Sequence, residues 1–152
     1  MATRLYPKAA PLAVSAQIAR MHNLYPGLQK VSWRLGVVVW EGEFRPTDVS
    51  ATYRIRISYR LRSAPRVRVV APRLRRNRKA ERIPHRYADG SLCLYYPEYG
   101  EWSSSMFIAE TIVPWAALWL YHYEVWHTTD KWLGGGIEHS APEQGDISEV
   151  PQ

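Results

Sequence analysis

Cys93 is the only cysteine of the 152-residue chain, and it stands in the run Gly90-Ser91-Leu92-Cys93-Leu94-Tyr95, directly after an Asp89-Gly90 turn signal. A thiolate is a strong nucleophile, and a nearby imidazolium lowers a thiol's pKa. His85 lies eight positions upstream, near enough to face the cysteine if the segment doubles back. A lone cysteine in a short apolar run also fits a small buried hydrophobe. Taken alone, the stretch leaves both readings open. Other chemistries are poorly supplied. A zinc site from Cys93, His85 and His139 lacks a fourth protein ligand and any recognisable spacing. No phosphate-cradling glycine loop stands ahead of a helix, and a cysteine hydrolase built on Cys93 and His85 has no evident third group to orient the imidazole. No cofactor and no metal is expected.

The elements that must position Cys93 come before and after it. Val14, Ile18, Met21 and Tyr25 recur at helical spacing and Pro26-Gly27 supplies a stop, predicting a helix from about Pro11 to Leu24. In "VVVWEGEF" the period changes to two, with Val38, Trp40 and Phe44 on one face and an interruption at Gly42. "TYRIRISYRLR" alternates most clearly, placing Tyr53, Ile55, Ile57, Tyr59 and Leu61 inward against arginines outward. "RVRVVAP" repeats the pattern, with Val67 and Val69 inward and Pro72 as its end. Strands joined by such short links form an antiparallel meander.

After the cysteine, Ser103 to Ser105 offer N-caps for a helix starting near Met106. Pro114 should break or kink it, with a second helix running to about Trp126. Trp115, Trp119 and Trp126 have near-helical spacing and so face the core or a partner. "LGGG", Leu133 to Gly136, resembles the glycine tail of a protein modifier, but it is internal and reads as a loop. The order of helix, strands, cysteine loop and helices makes an α+β arrangement. Residues 1–139 are expected to form one domain and 140–152 an acidic tail without fixed structure.

Composition narrows the classes further. One cysteine excludes an internal disulfide framework, and "MFIAETIVPWAALWLYHYEVW" is interrupted by Glu110, Pro114, His122 and Glu124, which excludes a membrane span. Without a recognisable secretory signal the expected location is the cytoplasm. From Arg54 to Arg82 eleven arginines and one lysine stand against one acid, Glu81. On the strands the arginines make a solvated outer face. In the loop, Arg73, Arg75, Arg76, Arg78, Lys79 and Arg82 form a denser cluster that suits an acidic partner. Nucleic acid is the lesser alternative, because "RLRRNRKAER" has no aromatic residue for base stacking.

These features together resemble the ubiquitin-conjugating enzyme family. Its cysteine segment runs His-Pro-Asn, a spacer, Asn-Gly-Ser-Ile-Cys-Leu, and then a Trp-Ser pair. The matching residues are His85, Asp89-Gly90-Ser91-Leu92-Cys93-Leu94 and Trp102-Ser103, while Trp40 and Gly42 match an early strand; the likeness spans roughly residues 10 to 126. More narrowly, "PHRYADGSLCLYYPEYGEW", "IVPWAALWLYHYEVW" and "WLGGGIEH" resemble bacterial relatives from CBASS antiphage operons.

This resemblance implies a four-stranded meander sheet and a transferase in which Cys93 takes the C-terminal glycine of a cGAS-like nucleotidyltransferase (CD-NTase) as a thioester. The acyl group would pass to an acceptor amine such as a protein lysine, priming the cyclase, with a separate E1-like enzyme consuming ATP to activate the tail. Arg86 and Tyr87 stand where the family has Pro-Asn. The family's asparagine stabilises the oxyanion, so His85, Tyr87 or a backbone N–H would have to replace it, with Asp89 and Trp102 as groove candidates. A non-catalytic adaptor of the same fold, binding through the arginine-rich face, is the alternative.

Overall fold

In a computed structural model, residues 9–134 are described; the expected acidic tail, Glu138 and His139 lie outside them. The chain begins with α1 (Val14–Leu24), followed by the strands β1 (Gln29–Arg34), β2 (Val37–Phe44), β3 (Tyr53–Arg60) and β4 (Arg66–Ala71). Two short 3-10 turns, Pro97–Tyr99 and Ile108–Glu110, precede α2 (Ile112–Thr129). The four strands pair in sequence order, each antiparallel to the next, as the expected meander.

The period-two patterns set the register. Trp40 lies opposite Ile57, which lies opposite Val67, and all three are buried. On the other face Glu41 accepts from Arg54 and Arg56, each at 2.7 Å. Gly42 is required by close approach, since a Cβ there would sit 2.0 Å from the carbonyl oxygen of Gly27. β1 carries no readable pattern because it is an edge strand with neither face in the core: Val31 and Trp33 are both exposed. Leu61 differs from expectation. β3 ends at Arg60, the chain turns, and Leu61 is exposed rather than inward.

α1 starts at Val14, three residues later than its periodicity predicts, and buries Gln17 and Met21. The Gln17 amide donates to the Met106 carbonyl at 2.8 Å and accepts the Ile108 N–H at 2.9 Å. Arg20 pairs with Glu110 beside this contact. Those bonds hold residues 106–110 as an irregular lead-in, so no helix begins at Met106. Among the described residues one α-helix, not two, follows the cysteine. Pro114 neither breaks nor kinks a longer helix: it falls in the first turn of α2, where its missing N–H has no intrahelical acceptor. Ser103 and Ser105 do not cap; their hydroxyls bond each other at 2.6 Å. α2 buries Ile112, Val113, Ala116, Trp119, Leu120, Tyr123 and Trp126 in the same core as the inner sheet face. None of the described helices is long and apolar enough to cross a membrane.

Candidate active site

Residues 85–93 double back into a small hairpin on the edge of the sheet. Arg86 bridges Leu92, the Tyr87 N–H donates to the Ser91 carbonyl at 2.8 Å, and the Gly90 N–H to the Tyr87 carbonyl at 2.9 Å. Leu92 continues the ladder, its N–H donating to the Val67 carbonyl of β4 at 2.8 Å. Ser91 and Leu92 are buried, which fixes the hairpin and leaves Cys93 half-buried at its exit.

The Asp89 carboxylate locks the turn. One oxygen accepts the Ser91 N–H at 2.9 Å and also its hydroxyl, and the other accepts from Arg66 at 2.7 Å and Arg68 at 3.1 Å. The Ser91 bonds, and then the two guanidinium groups, hold this carboxyl below its usual range. Asp89 is thus bound to the sheet's arginine face and is not a wall of the cysteine's cavity.

His85 and Cys93 are brought together by a backbone hydrogen bond. The Cys93 N–H donates to the His85 carbonyl at 2.9 Å, and the same carbonyl accepts the Trp119 indole N–H at 2.8 Å. His85 has φ of +51°, a conformation uncommon for a residue with a Cβ. Its ring lies 5.1 Å from that of Trp132.

The Cys93 thiol is 3.8 Å from the Tyr95 carbonyl oxygen, and the Tyr87 side chain hydrogen-bonds it. Burial, and next the bond to Cys93, push the Tyr87 hydroxyl above its usual pKa, so it stays a proton donor at neutral pH. Burial likewise raises Tyr95. Of the oxyanion donors named from the sequence, the Cys93 backbone N–H is already engaged with His85, whereas the Tyr87 hydroxyl is at the sulfur.

Cys93 and His85 line a cavity of about 500 Å³ whose far wall comes from Trp115, Trp119 and His122 of α2 and from Trp132 and Gly134 after it. Trp102 is not part of it. That indole donates to the Thr111 hydroxyl at 3.1 Å, packs edge-on to Tyr59, and lines a neighbouring cleft with Ser103 to Ser105. Tyr95 separates the two spaces and lines both. The α2 wall was missed as a site feature in the sequence, where its tryptophans read as core or partner-facing. Their spacing, with Trp115 and Trp119 one turn apart, was the available signal.

The loop arginines gather elsewhere, at the C-terminal end of α2. Asn77 is buried and pins the loop: its amide donates to the Trp126 carbonyl and to Asp130, and its oxygen accepts the N–H groups of Lys79 and Ala80. The Tyr123 hydroxyl accepts the Arg75 N–H at 2.9 Å. Lys79 pairs with Asp130, and Arg76 donates to the Glu81 carbonyl. Arg73, Arg75 and Arg78 are exposed, and among the described residues no carboxylate pairs with them. Arg82 is also exposed.

A family model described as E2-CBASS, Type II CBASS E2 protein, matches residues 17–140. No curated protein matches the chain.

Proposed function

We propose, from the premise that this chain belongs to the type II CBASS E2 family and acts in CBASS immunity, that Cys93 carries the C-terminal glycine of a CD-NTase as a thioester and passes it to an amine. The observation that carries this reading is the convergence on one sulfur of an open cavity and a neutral tyrosine hydroxyl. The tail arrives activated, as a thioester or acyl-adenylate made by an E1-like enzyme. The Cys93 thiolate attacks the carbonyl carbon, a new S–C bond forms, and the bond to the activating group breaks as that group leaves with the electron pair. An acceptor amine, such as a lysine, then forms the N–C bond, loses a proton, and expels Cys93 as thiolate.

In both steps negative charge develops on the carbonyl oxygen next to the sulfur. The Tyr87 O–H is the donor that takes the role of the family's asparagine. His85 acts as a positioning residue, because its carbonyl holds the Cys93 backbone against α2. The cluster of Arg73, Arg75, Arg76, Arg78, Lys79 and Arg82 docks an acidic face of the partner.

The test mixes the chain with its CD-NTase and an activating source and runs a non-reducing gel. A thiol-sensitive adduct that Cys93→Ala abolishes supports the reading. Absence of an adduct, or its persistence in Cys93→Ala, refutes it. Full antiphage protection by Cys93→Ala with partner binding retained would instead establish the adaptor reading.

A further inference from the structure

The cavity beside Cys93 is larger than a terminal glycine needs, and its lining is selective. Its volume of about 500 Å³ lies within the roughly 300–1,000 Å³ typical of sites that enclose a ligand. Trp115, Leu118, Trp119, Trp132 and Leu94 supply aromatic and aliphatic surface. No lysine or arginine lines it, and its one carboxylate, Glu101, already accepts the Tyr96 N–H at 2.8 Å. A charged side chain would leave water for a wall made mostly of indoles, with the exposed Glu101 and the rings of His85 and His122 among the other polar groups, a desolvation cost that an aliphatic or aromatic side chain does not carry.

The far wall is set in place. Trp132 packs against His85 and Trp119, both at 5.1 Å between ring centres. Gly134 lies so close behind that a Cβ would stand 2.7 Å from the His122 ring and 2.9 Å from the Trp132 indole nitrogen. At the rim Leu118 is 54% exposed, an apolar side chain on the solvent side of α2 that extends the cavity's surface outward.

Resting on the reading of Cys93 as acyl carrier, we infer that this cavity is a specificity pocket for the donor tail, taking an aliphatic or aromatic side chain just ahead of the terminal glycine. Any acyl group on the sulfur borders this cavity. An extended tail advances about 3.3 Å per residue, so a side chain within about three residues of the glycine falls among the indoles. The pocket rejects tails with arginine or glutamate at those positions.

The probes are short synthetic peptides ending in glycine thioester, with leucine, phenylalanine, alanine, arginine or glutamate placed in turn at each of the three positions before it. Transthioesterification needs no activating enzyme: the peptide acyl moves to Cys93 and a small thiol leaves. Intact mass measures the rate. Leucine or phenylalanine at one of these positions should load at least about tenfold faster than arginine or glutamate, since about 1.4 kcal/mol corresponds to tenfold. Leu118→Arg, at the exposed rim, should erase that preference over the glutamate peptide. Equal loading of all peptides, or an unchanged preference in Leu118→Arg, overturns the pocket and leaves Cys93 as carrier. Failure of every peptide to acylate Cys93, with the thiol open to iodoacetamide, overturns the carrier reading and the pocket with it.

Discussion

The backbone N–H of Cys93 donates to the carbonyl oxygen of His85 at 2.9 Å, so the two residues meet through the main chain. The same carbonyl takes the Trp119 indole N–H, so α2 holds the cysteine hairpin through one oxygen. Trp119→Phe keeps an aromatic ring but removes the donor. Losing that hydrogen bond should cost about 0.5–1.5 kcal/mol, with a further loss from the smaller ring. Thermal melting should show a lower Tm, and acylation of Cys93 should slow in the same variant.

Tyr87→Phe removes the hydroxyl at the sulfur. Loss of a single oxyanion donor typically lowers rate by about 10²–10³, and transfer to an amine should fall by that order while the fold and Tm stay near native. Because the hydroxyl's pKa is raised, its donor form persists above the ordinary tyrosine value of about 10. The native pH–rate profile should therefore show no decline from tyrosine ionisation up to that pH. A decline at or below it, or native rates in Tyr87→Phe, removes Tyr87 from the mechanism.

Asp89 makes the turn sensitive to acid. Its carboxyl is held below the unfolded value of about 3.9, so it stabilises the fold above that pH, and the contribution is lost as pH falls through the folded value. Denaturant unfolding as a function of pH should show stability declining below about pH 4, a decline that Asp89→Asn makes shallower. At neutral pH Asp89→Ala should be less stable than Asp89→Asn, because asparagine can still accept the Ser91 N–H.

Asn77→Ala tests the anchor of the arginine loop. Two backbone N–H groups lose their acceptor, so a loss of about 1–3 kcal/mol is expected. Trypsin should cut first between Arg73 and Arg82, well before the native chain is cut there.

Reversing Arg73, Arg75 and Arg78 to glutamate should weaken capture of the CD-NTase and flatten its salt dependence without lowering acylation of Cys93 by a small peptide thioester. These side chains are exposed and lie outside the cysteine's cavity. Unchanged affinity across a salt series would remove this surface from partner binding.

Much of the frame was legible before any tertiary structure. Period-two alternation is a local signal, so "TYRIRISYRLR" and "RVRVVAP" located β3 and β4 and their inner faces, and Val14, Ile18 and Met21 located α1. β1 was not legible, because an edge strand with both faces exposed imposes no pattern on its residues. The helix expected to start near Met106 does not form, for a different reason: Gln17, eighty-nine positions before Met106 in sequence, takes backbone groups that such a helix would use.

The sequence by itself determined which residue is the nucleophile candidate, since one cysteine in "DGSLCLY" leaves no competitor, and it determined that a turn precedes it. Only the tertiary structure decided what surrounds that sulfur. His85 turned out to contribute a carbonyl, Asp89 to face the arginines of β4, Trp102 to line the neighbouring cleft, and α2 with Trp132 and Gly134 to build the wall. The physical reason is range. A turn is specified by residues within a few positions of each other, whereas a cavity is specified by the packing of segments remote in sequence, which no local period records.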